Sequence, residues 1–199
     1  MSFELLHALA LRRKSDTAGL AASTGLDVAA IEAGLAPTVA DGRVIAARGF
    51  YLLAPTGAAW LHAQYADAFA THRGDAELNA AYAQFEIINR ELKSLITAWQ
   101  TLEIGGKHVT NDHSDSAYDD RILDRLAQLH ERAERVLGNL AARLPRLARY
   151  SPRLSAALDR AEAGAIEWVS GVRCDSYHTV WFELHEDLLR LLDRKREES

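Results

Sequence analysis

The sequence predicts a mainly α-helical protein. A small N-terminal winged helix-turn-helix with one β-hairpin comes first, and an antiparallel helical bundle follows. Three observations predict this. Apolar residues recur at helical spacing through most of the 199 residues. One pair of short β-type stretches, "RVIAA" and "GFYLL", meets at Arg48-Gly49. Near residues 70–79 the composition shifts from short, Ala- and Gly-rich elements to long amphipathic ones, which places domains at 1–74 and 75–199.

Each element has its own signal. "FELLHALAL" carries apolar residues at helical spacing. "SDTAGLAAST" opens on Ser15 and Asp16, either able to cap a helix, and Gly25 ends it. "LDVAAIEAGLAPTVADG" has Asp27 as cap, with Val28, Ile31, Leu35 and Val39 behind it. Pro37 argues against a straight helix through that stretch. The hairpin is followed by a turn at Pro55–Gly57 and a helix over about 58–70. In the second half, "ELNAAYAQFEIINRELKSLITAWQTL" reads as one helix with Tyr82, Phe85, Asn89, Leu92, Ile96 and Trp99 on one stripe. Gly105-Gly106 breaks it. A second long helix aligns Ile122, Leu126, Leu129, Ala133, Val136 and Leu140. Then come a turn at Pro145, a helix after Pro152 ending at Gly164, a short helical piece, and a last helix capped by Asp175 or Ser176. Long helices with short connections imply antiparallel packing.

Composition excludes several classes. No apolar run reaches the ~18–20 residues that span a bilayer. The opening "MSFELLHALALRRK" is apolar before it is basic, the reverse of a secretion signal, so a cytoplasmic protein is expected. The single cysteine, Cys174, rules out an internal disulfide and a cysteine-based zinc site. The net charge is −5, and all of it lies in residues 75–199, because the first 74 carry six basic and six acidic side chains. A winged helix ordinarily suggests DNA. Here no Lys or Arg occurs from Ser15 through Gly42, and the third helix offers Asp27, Glu32 and Asp41. Phosphate contacts dominate DNA affinity, so DNA is an unexpected partner and a packing or protein-interaction role is expected.

Chemistry concentrates at three places. Asn89 interrupts an apolar stripe, either as a buried amide bonded to a neighbour or as a substrate contact. On the last helix His178, Trp181 and His185 share one face, with Tyr177 one turn before Trp181. Histidines seven residues apart lie about 10–11 Å apart along the axis, too far to bind one metal ion together, and no metal site is predicted. "NDHSDSAYDD" is the densest polar stretch. Ser114 or Asp115 can cap the helix that follows, and Asp119 and Asp120 suit its positive end. Asn111, Asp112 and His113 stay unexplained. The calcium-loop spacing is absent, as are GxGxxG, a P-loop and a nucleophile elbow.

Three stretches together, "LLAPTGAAWL", "TAWQ…NDHSDSAYDDRILDRL" and "DSYHTVWFELHEDLL", resemble the C-terminal region of short actinobacterial-type proteins related to pyruvate phosphate dikinase and phosphoenolpyruvate synthase. The resemblance implies an accessory or acceptor-binding subunit of a phosphohistidine-type phosphotransferase. ATP, Mg, the ATP-grasp domain and the phosphohistidine would come from a partner subunit, and the acceptor would be a phenolic or enol/keto small molecule. Such an acceptor needs a base, aromatic walls and phosphate donors. His113 and His178 are the candidate bases, with Asp112 or Asp115 orienting them. Asn89, Trp99, Asn111, Tyr177, Trp181, His185 and Arg173 are candidate acceptor contacts, and Lys93, Lys107 or Arg173 would meet phosphate. His113 and His178 are expected to line one pocket. The rival reading is a winged-helix transcription regulator with a ligand-sensing or dimerising bundle. A purely structural interaction module is the third.

Overall fold

The computed structural model describes residues 2–196. It is mainly helical with small antiparallel sheets, and it divides into two compact units. The first holds the chain up to Asp75 and from His185 onward, and the second holds Ala76–Leu184. The break near residue 75 lies where the composition changes. The sequence reading kept 185–199 with the second half, but these residues group with the first unit.

The first unit runs α1 (Ser2–Arg12), β1 (Lys14–Ser15), α2 (Thr17–Thr24), α3 (Val28–Ala40), β2 (Val44–Ala47), β3 (Phe50–Leu53), α4 (Pro55–Ala68) and α5 (Ala70–Arg73). The caps match the sequence: Asp16 accepts from the Gly19 N–H and Asp27 from the Ala30 N–H. Arg48 and Gly49 both take positive φ, 52° and 78°, the two-residue turn whose twist suits a hairpin. The sheet order is β1-β3-β2, all antiparallel, and β1 is a two-residue strand with no sequence signal. Gly57 is required, since a Cβ there would stand 2.2 Å from the Arg43 carbonyl oxygen. Two expectations need correction. α3 continues through Pro37, which lacks the N–H that would bond the Ala33 carbonyl; Ala33 and Pro37 are both exposed, so water can meet that carbonyl. α4 starts at Pro55 itself, a favoured first-turn residue.

Leu5, Leu6, Leu9, Leu20 and Ile31 are fully buried, and each contributes about 1.5–3 kcal/mol. Against them sits a buried polar group. His7 Nδ1 meets Tyr65 Oη at 2.9 Å, and His7 Nε2 meets Asp187 Oδ1 at 2.9 Å. Asp187 has no solvent exposure and needs such a donor, which ties the chain after residue 185 to this unit.

The second unit runs α6 (Ala76–Gln100), β4 (Thr101–Ile104), β5 (Lys107–Thr110), α7 (Ser116–Arg143), a 3₁₀ turn (Pro145–Arg149), α8 (Tyr150–Glu162), α9 (Glu167–Ser170) and the start of α10 (Tyr177–Leu192). Tyr118 contacts Ala98, Arg132 contacts Glu91 and Arg143 contacts Glu77, so α6 and α7 are antiparallel. The Tyr82–Trp99 stripe is buried throughout. On α7 the buried residue is Leu137 rather than Val136, because the apolar step there is four residues, not three. α8 begins at Tyr150, two residues before Pro152.

The hairpin β4–β5 was not foreseen. Gly105 and Gly106 take φ 59° and 77°, and Thr101 pairs with Thr110. A Gly-Gly pair between β-branched stretches is a hairpin signal, not only a helix break. The ladder carries the chain straight back, so the Asn111 N–H donates to the Gln100 carbonyl at 2.9 Å.

Candidate functional site

The returning hairpin sets Asn111–Ser114 against the last turn of α6 and the first turns of α7. Asn111 is buried at 5 % exposure. Its amide nitrogen donates to the Trp99 carbonyl at 3.0 Å and to Asp119 Oδ1 at 2.9 Å, and its Oδ1 accepts the His113 N–H at 3.0 Å. Asp119 is also buried, and its second oxygen, Oδ2, lies 2.9 Å from His113 Nδ1. The His113 ring packs on the Trp99 indole with centroids 4.6 Å apart. His113 holds φ 59°, an uncommon conformation for a residue with a Cβ. Such strain persists where the surroundings over-determine it, and here the Asn111 side-chain oxygen and the Asp119 carboxylate do so.

A carboxylate accepts only, so His113 Nδ1 carries the proton. Nε2 is then a lone pair, with no hydrogen-bond partner among the described residues, on a side chain 24 % exposed. A carboxylate behind Nδ1 and an open Nε2 is the arrangement of an oriented general base. The sequence reading assigned orientation to Asp112 or Asp115, and both assignments need correction. Asp112 accepts from the Ser114 N–H and hydroxyl, which hold its carboxyl below the usual range, and Asp115 is the N-cap of α7, accepting from the Tyr118 N–H. Asp119, assigned only to the helix dipole, is the residue one turn inside α7 that faces the returning loop.

The other candidates fall elsewhere. Asn89 Oδ1 accepts from Trp181 Nε1 at 3.1 Å and its nitrogen donates to Glu86, so this amide is internally satisfied. Trp181 stacks on Phe85 at 4.8 Å. Tyr177 is fully buried and bonded to His130 at 3.2 Å, and burial raises its phenol pKa. Asn89, Tyr177 and Trp181 are therefore core groups rather than open acceptor contacts. His185 is buried and groups with the first unit. Arg173, Lys93 and Lys107 are exposed, and His178 is half-buried. His130 is eleven residues along α7 from Asp119, roughly 16 Å on the axis. Tyr177, the chain neighbour of His178, contacts α7 at His130. His113 itself is held by Asn111, Asp119 and Trp99.

Sequence reasoning missed His130. Its Nδ1 faces the Tyr177 hydroxyl and its Nε2 faces Ser155 Oγ at 3.1 Å. A Ser–His pair invites a nucleophile reading, but the protons argue against it. Burial keeps Tyr177 protonated, and its O–H donates to Nδ1. The Nε2–H then donates to Ser155, whose own hydroxyl donates to the Ser151 carbonyl. Burial lowers the His130 pKa, opposed by Glu134, Asp159, Glu162 and Glu131, and so favours this neutral form. His130 is a donor to Ser155, not its base. Nearby, Arg153 forks onto Glu183 at 2.8 Å twice and reaches Asp175 at 3.1 Å. A groove of about 330 Å³ also lies between α6 and α7, floored by Leu95 and Leu129, and none of the candidate site residues lines it.

Comparison with protein-family models, with curated proteins and with solved structures finds no match to the chain. None of the described helices is long and apolar enough to cross a membrane.

Proposed function

We propose that the chain is an accessory, acceptor-binding subunit of a dikinase-like phosphotransferase, cytoplasmic, with His113 as its general base. The observation that carries this reading is the open Nε2 of His113 backed by the buried Asp119. A base so placed takes the proton of an acceptor hydroxyl as that oxygen attacks phosphorus, and Asp119 stabilises the imidazolium that forms. Trp99, expected as an acceptor contact, is a core group at 2 % exposure, and its indole packs against the His113 ring from the inner side. The phosphoryl donor, ATP and Mg belong to a partner carrying ATP-grasp and phosphohistidine domains.

In this reading the first unit is a winged helix used for protein contact. The order α1-β1-α2-α3-β2-β3 and the sheet order β1-β3-β2 support the winged-helix assignment. The exposed residues of α3, including Val28, Ala29, Glu32, Ala33, Ala36 and Ala40, carry no cation, which disfavours the regulator reading. The same order of elements keeps that rival in view, and a duplex-DNA anisotropy titration at physiological salt separates the two. Sub-micromolar, sequence-specific binding would establish the regulator.

The test of the main reading is reconstitution. The isolated chain should leave ATP unchanged. With an ATP-grasp/phosphohistidine protein, ATP and a phenolic acceptor added, ³¹P NMR should report a phosphorylated acceptor. ATP turnover by the purified chain alone, or transfer that does not need this chain, would end the proposal.

A further inference from the structure

The imidazole at this site needs more than a carboxylate to be useful. Asp119 has two oxygens and His113 two nitrogens, and a histidine in water places its neutral proton on either nitrogen. A third group must decide which oxygen meets which nitrogen, and it must hold the His113 backbone at φ 59°. Asn111 touches each of these. Its amide nitrogen occupies Asp119 Oδ1, leaving Oδ2 for His113 Nδ1. Its Oδ1 accepts the His113 N–H, closing a short turn that fixes the backbone. Its nitrogen also donates to the Trp99 backbone carbonyl, so one amide bonds both the carboxylate behind the ring and the backbone of the residue whose indole packs on it. The reversed amide would aim a donor at the His113 N–H and a lone pair at two acceptors, so only this orientation satisfies the three groups. Asn111 is 3.3 Å from His113 Nδ1, but both carry hydrogens there, and the proximity is packing rather than a bond.

We propose that Asn111 is the positioning residue of the site, fixing His113 as the Nδ1–H tautomer with an open Nε2 lone pair. The inference deepens the reading of His113 as base and rests on it for its purpose, but not for its test. Asn111 itself is buried and does not meet the acceptor.

The test is long-range ¹H–¹⁵N correlation NMR of the full chain above the pH range in which histidine protonates, with His113 assigned by loss of its signals in His113→Gln. Wild type should show one His113 tautomer with the proton on Nδ1. In Asn111→Ala, and in the isosteric Asn111→Asp that cannot donate, the preference of about tenfold expected from one charge-assisted bond should fall toward equal populations. A wild-type His113 protonated on Nε2, or mixed, overturns the proposal without any variant. So does a folded Asn111 variant that keeps the wild-type signature. If both variants fail to fold, Asn111 serves the fold rather than the imidazole, and the proposal is again overturned. The functional reading fails separately: a single Nδ1–H tautomer in wild type, lost in the variants, together with undiminished transfer by His113→Gln, would retain the lock and remove the base.

Discussion

His113 and His130 lie on the same helical unit and differ in one respect. His113 has one nitrogen committed to a carboxylate and one open. His130 has both nitrogens committed, to a phenol and a serine, and only 12 % of its side chain exposed. The difference teaches that the chemistry of a histidine is set by the partners of its two nitrogens, not by its place in a polar run. The carboxylate leaves a usable lone pair at His113. The buried phenol, having no other acceptor among the described residues, directs the His130 lone pair inward.

The largest effect that sharpens this comparison is on transfer. His113→Gln should reduce phosphoryl transfer in the reconstituted system by about 10²–10⁴-fold with little change in thermal midpoint. His130→Gln should do the reverse, lowering the midpoint while a folded sample keeps most transfer. Equal losses of transfer in the two would break the distinction.

Next in size is the ion cluster that pins α10 beside His130. Arg153→Ala removes the guanidinium fork from the buried carboxylate of Glu183 and should cost about 3–5 kcal/mol in urea unfolding. A loss under about 1 kcal/mol would show that water replaces the guanidinium. Tyr177→Phe removes the donor to His130 Nδ1 and should cost about 1–3 kcal/mol.

A pH titration is subtler. Burial depresses the His130 pKa below its ordinary 6.5, so its stabilising neutral form is fully present above pH 6.5. That contribution is lost as pH falls from there through the depressed value, as the unfolded chain binds the proton first. Denaturation midpoints measured downward from pH 6.5 should fall in wild type and fall less in His130→Gln. Parallel slopes would show that another group controls this range. The smallest effect belongs to the exposed fork between Arg132 and Glu91: Arg132→Ala should change stability by about 0–1 kcal/mol, and a larger loss would make that groove a structural seam.

Much of the fold was legible because its signals are local. Asp16, Asp27 and Asp115 cap helices wherever they sit, Arg48-Gly49 turns by its own backbone preference, and the Tyr82–Trp99 stripe is a matter of helical period. The site was legible only in part. "NDHSD" was marked as unusual, and Asn111 and His113 do form its centre. Its partners were assigned by nearness in sequence, to Asp112 and Asp115, whereas those acids satisfy their own turn and cap. Asp119 joins because the Gly105-Gly106 hairpin returns Asn111 to Gln100 and an inward-facing position of α7 lies beneath. The sequence by itself determined the helices, their caps and their apolar faces, since each depends on residues within a turn of one another. Tertiary structure alone decided which carboxylate meets which imidazole, because hydrogen bonds are made between neighbours in space, and two helices joined by a hairpin bring together residues that no spacing rule connects.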